Sequence, residues 1–147
     1  MKKLTFIAIG IIMITIIATQ IPAKAGNSTK NSGIQFNTGT WSQVLALAKK
    51  ENKPVFLDVS ASWCVYCKRM KSTVFTDVDV AEYYNSTFIN VSVDPEKGEG
   101  IQLTQKYGVT GYPAYIFINP DGSVATQSGG YQNKEEFLNT GKNATKK

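Results

Sequence analysis

The sequence contains no histidine, and its 147 residues include only two cysteines, Cys64 and Cys67. The lack of histidine removes the commonest general base and metal ligand of enzymes. A structural zinc site needs four ligands, which are commonly cysteine and histidine, and two thiolates alone could hold a metal only weakly or by sharing it between two chains. We therefore expect the protein to need neither a metal nor another cofactor.

The excess of positive over negative charge is also small once residues 1–25 are set aside. The formal net charge is +5, but three lysines and no acid fall within residues 1–25, which leaves 13 basic and 11 acidic residues. This balance is too small and too scattered to indicate nucleic-acid binding. The length indicates one domain with an ordinary hydrophobic core.

The longest hydrophobic run is at the N-terminus, at residues 4–19, after two lysines. Small residues follow at Ala23 and Ala25, at the spacing of a signal-peptide cleavage site. The run is short for a spanning helix, which needs about 20 apolar residues, although an uncleaved anchor is the alternative. We predict that residues 1–25 are a signal peptide removed near Ala25-Gly26. The mature protein would then be periplasmic or extracellular, where disulfides persist.

The spacing of the two cysteines bears on their role. A disulfide between Cys64 and Cys67 would close a four-residue ring, which is worth only ~2 kcal/mol, against ~4–5 kcal/mol for a ring of a hundred residues. The pair is therefore a poor structural staple, and a weakly held metal is the other alternative. The spacing and the exported location together favour redox chemistry.

The remaining pattern predicts a small polar, flexible leader at residues 26–38 and one domain at residues 39–147. Apolar, β-branched runs predict four strands, at residues 54–61, 88–93, 114–118 and 124–127. Apolar periodicity predicts helices that begin near residues 40, 64, 78, 99 and 134, and Thr40 and Asp77 are the predicted caps of the first and third of them. The turn residues 119–122 predict that the last two strands form a hairpin. This order predicts an α/β fold with a mixed sheet and helices on both faces.

The cysteines follow a predicted strand directly and begin a helix, where free N–H groups and the helix dipole stabilise an anion. Cys64 would therefore be the nucleophilic thiolate. Cys67 lies one helical turn further on the same face and can reach the Cys64 sulfur. Attack by Cys64 on a disulfide, followed by attack by Cys67 on the mixed disulfide, would make a two-electron switch.

Other candidate site residues lie close to this pair or at the start of the third strand. Asp58 lies inside an apolar strand, where burial would raise its proton affinity and let it exchange a proton with Cys67, unless it faces solvent. Trp63 and Tyr66 would either contact a substrate or simply pack. Pro113 follows Tyr112, and an X-Pro bond is cis in only ~5–6% of cases, so these residues alone do not settle its isomer.

Taken together, these motifs resemble the thioredoxin superfamily over residues 39–141. The resemblance is carried by residues 55–59, 61–68 and 108–113. Residues 71–75 and 77–80 further resemble the exported branch that includes the C-terminal domain of the transmembrane electron-transfer thiol reductase.

The resemblance implies a thioredoxin fold with Cys64 as nucleophile and Cys67 as resolving thiol. It also implies that Asp58 is the buried acid of the family. Pro113 would be cis, and the backbone of Tyr112 would bind a substrate strand by β-addition. We expect a monomer that acts on protein disulfides and receives electrons from a membrane protein.

Two departures from the family concern the direction of electron flow. Val65-Tyr66 separates the cysteines where thioredoxins have Gly-Pro, and Asn90 takes the approximate place of a lysine near the buried acid. We predict an exported thiol–disulfide oxidoreductase that reduces or isomerises protein disulfides, because Asp58 is kept and no helical domain is inserted. The alternatives are an oxidant of protein thiols, a partner dedicated to one pathway, and a peptide- or Cu(I)-binding module, for which Met70 could add a soft ligand.

Overall fold

The computed structural model describes residues 33–146. Within this range no helix has the length and apolar character needed to cross a membrane. The predicted signal peptide, its cleavage site and residues 26–32 lie outside the described residues.

Four strands form one sheet in the order β2-β1-β3-β4. Their bounds are β1 Val55–Val59, β2 Ile89–Val93, β3 Ala114–Ile118 and β4 Val124–Gly129. β1 pairs in parallel with β2 and antiparallel with β3, and β3 pairs antiparallel with β4. The sheet is therefore mixed, as predicted, and β3 and β4 form the predicted hairpin.

Five α-helices accompany the sheet in the described part of the chain: α1 Trp41–Glu51, α2 Val65–Arg69, α3 Val78–Thr87, α4 Glu99–Lys106 and α5 Lys134–Ala144. α2 continues directly into a π-helical segment, Met70–Val74. The predicted caps are present, because Thr40 accepts a hydrogen bond from the Gln43 N–H and Asp77 accepts one from the Val80 N–H. Such side-chain caps satisfy N–H groups that have no partner within the helix.

Alternate side chains of β1 enter two cores on opposite faces of the sheet, as strand geometry requires. Val55, Leu57 and Val59 pack with residues of α1 and α4. Phe56 packs on the other face, in an aromatic cluster with residues from the π-helical segment, α3 and α5. Helices therefore cover both faces of the sheet, and Asp58 lies on the same face as Phe56.

The aromatic cluster holds α3 and α5 together. The rings of Tyr84 and Phe137 are stacked with their centroids 4.5 Å apart. The Tyr84 hydroxyl donates to the Phe137 carbonyl oxygen at 2.8 Å. The ring of Phe56 lies 4.9 Å from Tyr84 and 5.7 Å from Phe137. This packing joins β1, α3 and α5 on one face of the sheet.

Residues 33–38, the described part of the predicted leader, lie against the domain. Ile34 is buried in the aromatic cluster, and its N–H donates to the Phe75 carbonyl oxygen at 2.8 Å. The Asn37 N–H donates to the Asn90 carbonyl oxygen in β2 at 2.8 Å. The composition of the segment is mostly polar, but Ile34 and Phe36 pack against the aromatic cluster, and the two backbone hydrogen bonds join the segment to the domain.

Candidate active site

Cys64 and Cys67 form a disulfide at the start of α2, with their Cα atoms 5.3 Å apart. Cys64 is the N-cap residue of the helix, and its Sγ atom accepts a hydrogen bond from the Cys67 N–H at 3.1 Å. That N–H belongs to the first turn, where it has no intrahelical partner. A hydrogen bond from it favours the thiolate of Cys64 when the disulfide is reduced.

The two sulfur-bearing residues differ little in burial. Cys64 is 5% exposed and Cys67 is 1% exposed. They pack with Ala61 and Tyr112 in a small apolar cluster. The larger part of the surface around them belongs to neighbouring side chains, so a partner molecule must contact those neighbours to reach Cys64.

Asp58 is fully buried at the end of β1, as the apolar strand predicted. Its Oδ1 atom accepts a hydrogen bond from the Ser60 hydroxyl at 2.6 Å, and its Oδ2 atom accepts one from the Ser92 hydroxyl at 2.7 Å. The ammonium of Lys71 lies 3.6 Å from Oδ2 and donates to the Ser92 hydroxyl oxygen at 3.1 Å. Both carboxylate oxygens therefore have donors, and one cation faces the group.

The net effect of these surroundings is to raise the pKa of Asp58. Burial raises it most, because the charged form loses its hydration. The Lys71 ammonium and the hydroxyls of Ser60 and Ser92 act in the opposite direction. Asp58 is thus a carboxyl group on which opposing influences act, as proton-exchanging groups in active sites require.

The sequence analysis placed the wrong β2 residue near the buried acid. In the parallel pairing of β1 and β2, Phe56 is opposite Asn90, and Asp58 is opposite Ser92. The Asn90 amide instead donates to the carbonyl oxygen of Tyr84 at 3.3 Å. The strand register, which the sequence alone does not give, accounts for the two-residue error.

The cation near Asp58 was also missed, because it comes from another element. β2 has no lysine, but Lys71 lies in the π-helical segment and its side chain reaches the carboxylate. The sequence spacing did indicate Lys71, because this residue follows Cys67 by four residues and so lies one helical turn beyond it.

A cavity of about 250 Å³ is lined both by Cys67 and by the partners of Asp58. Its lining includes the residues Ser60, Ala61, Ser62, Cys67, Lys68, Lys71, Ser92, Val93 and Asp94. The cavity has room for several water molecules, since each occupies ~30 Å³ in the liquid. Cys67 and the two serines that bind Asp58 therefore share one polar space.

Aromatic side chains flank the disulfide at the surface. Trp63 is 61% exposed and Tyr66 is 58% exposed. The Trp63 ring lies edge-on to Tyr112 with the centroids 6.1 Å apart, and its Nε1 donates to a carboxylate oxygen of Glu96 at 2.9 Å. Tyr66 lies 6.4 Å from the ring of Tyr131. The sequence analysis identified Trp63, Tyr66 and Tyr112 but missed Glu96 and Tyr131.

A basic side chain completes this side of the surface. The guanidinium of Arg69 lies over the Tyr131 ring, 4.5 Å from its centroid. Arg69 is at the end of α2, and Tyr131 follows β4, so the contact joins the helix of the cysteines to the end of the hairpin. Nothing in the sequence pattern links these two residues.

The Tyr112-Pro113 peptide bond is cis, as the resemblance implied. The Pro113 carbonyl oxygen accepts a hydrogen bond from the Gly130 N–H at 2.8 Å. The loop at residues 108–114 and residues 127–130 line a groove of about 470 Å³. Tyr112 borders both this groove and the apolar cluster of the cysteines. The groove is thus an open site beside the disulfide.

Metal ligands are not grouped in the described part of the chain: residues 33–146 contain no cluster of three or more His, Cys, Asp or Glu side chains that could hold an ion. The chemistry of the site is that of two cysteines, one buried carboxyl group and the side chains around them.

Comparisons with known proteins agree with this geometry. The family model for the thioredoxin-like domain matches residues 41–145. The thiol:disulfide interchange protein DsbD of Neisseria meningitidis serogroup A is 28% identical over 120 residues, which are 80% of this chain and 20% of that protein. The chain thus spans about one fifth of the length of this curated relative.

Two solved structures also match. A Bacteroides thetaiotaomicron protein, provisionally described as a disulphide-isomerase, is 37% identical with a TM-score of 0.69, over 79% of this chain and 97% of that one. The C-terminal domain of Neisseria meningitidis DsbD in its reduced form is 25% identical with a TM-score of 0.58, over 69% of this chain and 90% of that one. The thioredoxin fold implied by the sequence is thereby confirmed.

Proposed function

The chain belongs to the thioredoxin-like domain family, and we propose that it is a thiol–disulfide oxidoreductase that reduces or isomerises disulfides in exported proteins. One observation carries the proposal. Cys64 and Cys67 form a disulfide at the first turn of a helix, with the Cys64 sulfur accepting a backbone hydrogen bond. This geometry supports a reactive thiolate whose partner is already within bonding distance.

The reaction proceeds in two exchanges of sulfur. The Cys64 thiolate attacks a client disulfide, so that a Cys64–client bond forms and the other client sulfur leaves as a thiolate. The Cys67 thiolate then attacks the Cys64 sulfur, breaks that bond and releases the second client thiolate. Two electrons pass to the client, whose thiolates take protons from solvent, and the Cys64–Cys67 disulfide remains.

Asp58 is the proposed proton acceptor for Cys67 in the second exchange. Cys67 must lose its proton before it can attack, and it is only 1% exposed. Ser60 borders the same cavity as Cys67, and its hydroxyl donates to Asp58. A carboxylate connected to the thiol in this way can take the proton as a general base.

The surface around Cys64 is the proposed binding site for the client. An extended client segment would pair with the backbone of Tyr112 before the cis Pro113, as one strand adds to another. Trp63 and Tyr66 are exposed on the surface flanking the cysteines and would contact client side chains. All of these groups come from one chain, so we propose that the protein acts as a monomer.

The electron donor is proposed to be a membrane protein that reduces the Cys64–Cys67 disulfide. The relative from Neisseria meningitidis is named a thiol:disulfide interchange protein, and this chain matches one fifth of it. A small domain of this kind needs a separate source of electrons, because each client it reduces leaves the domain oxidised. The proposed location is the periplasm or the extracellular space, after removal of residues 1–25.

The direction of electron flow is tested by the redox potential of the Cys64–Cys67 pair. Proteins of this chemistry range from about −270 mV for thioredoxin to about −120 mV for the strong oxidant DsbA. We expect equilibration with glutathione to give a value in the reducing half of this range. A value near −120 mV would show that the protein is an oxidant of thiols.

The experiment that tests the function is trapping in the native compartment. Cys67→Ala leaves the mixed disulfide unresolved, so clients should stay attached to Cys64 and be released by dithiothreitol. Cys64→Ala, which removes the nucleophile, is the matched control and should trap nothing. If Cys67→Ala captures no more protein than Cys64→Ala, the proposed turnover of protein disulfides is wrong.

A further inference from the structure

The surroundings of Asp58 include one charged group that the reaction above leaves unused. The Lys71 ammonium lies 3.6 Å from Asp58 Oδ2, and its side chain is 45% exposed while that of Asp58 has no exposed surface. The ammonium also donates to the Ser92 hydroxyl, which in turn donates to Oδ2. Lys71 therefore faces water on one side and a buried carboxylate on the other.

We infer that Lys71 is a positioning residue that holds Asp58 in its ionised form, ready to accept the proton of Cys67. We further infer that the cavity beside Cys67 is the route by which this proton leaves. The inference rests on the proposed function, because it concerns the second exchange of that reaction. It assigns a role to a residue outside β1, β2 and the cysteine motif.

The charge of Lys71 is needed because an isolated carboxylate is costly to bury. A buried ion that loses its partner takes up a proton instead of remaining charged. The two serine hydroxyls can serve either protonation state of Asp58, because a hydroxyl can donate or accept. An ammonium favours only the charged state, so Lys71 offsets part of the effect of burial, which favours the protonated state.

The other ionisable groups around Asp58 do not replace this charge. Tyr115 lies opposite Asp58 on β3, and burial and the nearby carboxylate raise the pKa of its hydroxyl, so it stays neutral. Lys68, Asp94 and Cys67 border the cavity. Among the described residues, Lys71 is the one whose ammonium lies within 4 Å of Asp58.

The proton is accounted for at each stage. The Cys67 thiol gives its proton to the Asp58 carboxylate through the hydroxyl of Ser60 and water in the cavity. The resulting Cys67 thiolate breaks the mixed disulfide, and protonated Asp58 then returns its proton to solvent through the same cavity. In the reverse direction, when a donor dithiol reduces the protein, the leaving Cys67 thiolate takes a proton from Asp58.

The direct test is titration of Asp58 in the oxidised protein, in which neither cysteine can titrate. Carbon-13 NMR of the Asp58 carboxyl group is compared between the wild type, Lys71→Met, Lys71→Arg and Lys68→Met. Loss of an opposite charge at this distance should move the midpoint up by about 1–3 pH units in Lys71→Met. Lys71→Arg should restore most of the shift, and Lys68→Met, which removes an equal charge without a contact to Asp58, should leave the midpoint near that of the wild type.

A kinetic test separates this inference from the proposed function. Reduced protein is mixed with an excess of a disulfide formed from two fluorescent peptides, so that each exchange releases one peptide in its own phase. The first phase reports attack by Cys64, and its absence in the wild type contradicts the proposed function. The second phase reports attack by Cys67, and near pH 6 it should be about tenfold slower in Lys71→Met than in the wild type.

The role of Lys71 must also vanish when its partner is removed. In an Asp58→Asn background, Lys71→Met should change the second phase by less than about twofold, because coupled residues show their interaction in a double-mutant cycle. The inference is wrong if the titration midpoint of Asp58 is the same in Lys71→Met and in the wild type. The inference is also wrong if Lys71→Met slows the second phase as much in the Asp58→Asn background as it does in the wild type.

Discussion

The backbone N–H of Cys67 donates a hydrogen bond to the Sγ atom of Cys64 at 3.1 Å. The bond joins the two halves of the site, because the proposed resolving residue supplies the donor to the sulfur of the proposed nucleophile. It also requires that the chain turn into α2 directly after β1, with Cys64 as the N-cap. The geometry thus makes the two cysteines unequal although they share one disulfide.

Alkylation should reveal this inequality. In the Cys67→Ala variant, the rate at which iodoacetamide modifies Cys64 should show a midpoint clearly below the ordinary cysteine value of ~8.5, because the thiolate is stabilised. In the Cys64→Ala variant, the buried Cys67 should react at least about tenfold more slowly at pH 7. A midpoint for Cys64 at or above 8.5 would mean that the helix start does not activate it.

The raised pKa of Asp58 predicts how stability depends on pH. Folded Asp58 binds its proton more tightly than the unfolded chain does, so stability is full below the unfolded pKa and falls as the pH rises through the folded pKa. Asp58→Asn removes this loss. The free energy of unfolding of Asp58→Asn, relative to that of the wild type, should therefore increase as the pH rises. The increase should be about 1.4 kcal/mol for each unit by which the pKa of Asp58 is raised.

Urea unfolding of the oxidised proteins between pH 4 and pH 8 measures this gain. Glu82→Gln, which removes an exposed carboxylate from α3, is the control and should follow the wild type across the range. If the wild type and Asp58→Asn differ by a constant amount at every pH, the folded pKa of Asp58 is not raised.

Trp63 should contribute to client binding, because its ring is largely exposed beside Cys64 and is held in place by Tyr112 and Glu96. Aromatic anchors commonly cost more than 1 kcal/mol when truncated. Trp63→Ala should therefore raise KM for a peptide disulfide on the order of tenfold, with a smaller effect on kcat. Val65→Ala, at an even more exposed position of the same surface, should change KM by less than about twofold. Equal effects of both variants would exclude an anchor at Trp63.

Gly100 should not tolerate a side chain. A Cβ atom at this position of α4 would overlap the carbonyl oxygen of Asp94. Overlap in a packed site costs about 1–3 kcal/mol, which exceeds the ~1 kcal/mol by which alanine favours a helix over glycine. Gly100→Ala should lower the free energy of unfolding and, by moving the segment that carries Glu96, alter the fluorescence of Trp63.

Gly111→Ala is the matched control for stability. A Cβ atom there would meet no atom within 4 Å, and the backbone does not adopt a positive φ. Its free energy of unfolding should stay within about 0.5 kcal/mol of the wild type, as for most surface changes. Equal stabilities of the two alanine variants would show that the chain moves freely around Gly100.

Most of the fold could be predicted because short local stretches of sequence identify its strands. β1 and β3 are short apolar runs, and the turn at residues 119–122 fixes the hairpin between β3 and β4. The caps Thr40 and Asp77 were equally visible. The anchoring of Ile34 was not, because two apolar residues, Ile34 and Phe36, in a polar segment give no clear periodic signal.

The site was predicted in part for the same reason. Cys64, Cys67 and Asp58 lie within one stretch of sequence, so a strand followed by a helix is enough to bring them together. Ser92 depends on the register between β1 and β2, and Lys71 depends on how far a flexible side chain reaches from a helix. Both are relationships between elements, which the spacing within one element does not contain.

The partial exposure of Lys71 has a consequence for the conditions in which the protein works. A cation that faces water attracts dissolved anions, and salt weakens its field, whereas a fully buried pair is little affected. The protonation of Asp58 would then respond to the ionic strength of the surrounding solution. Through this one side chain, the salt concentration of the surroundings would set the rate at which a client is released from its mixed disulfide with Cys64.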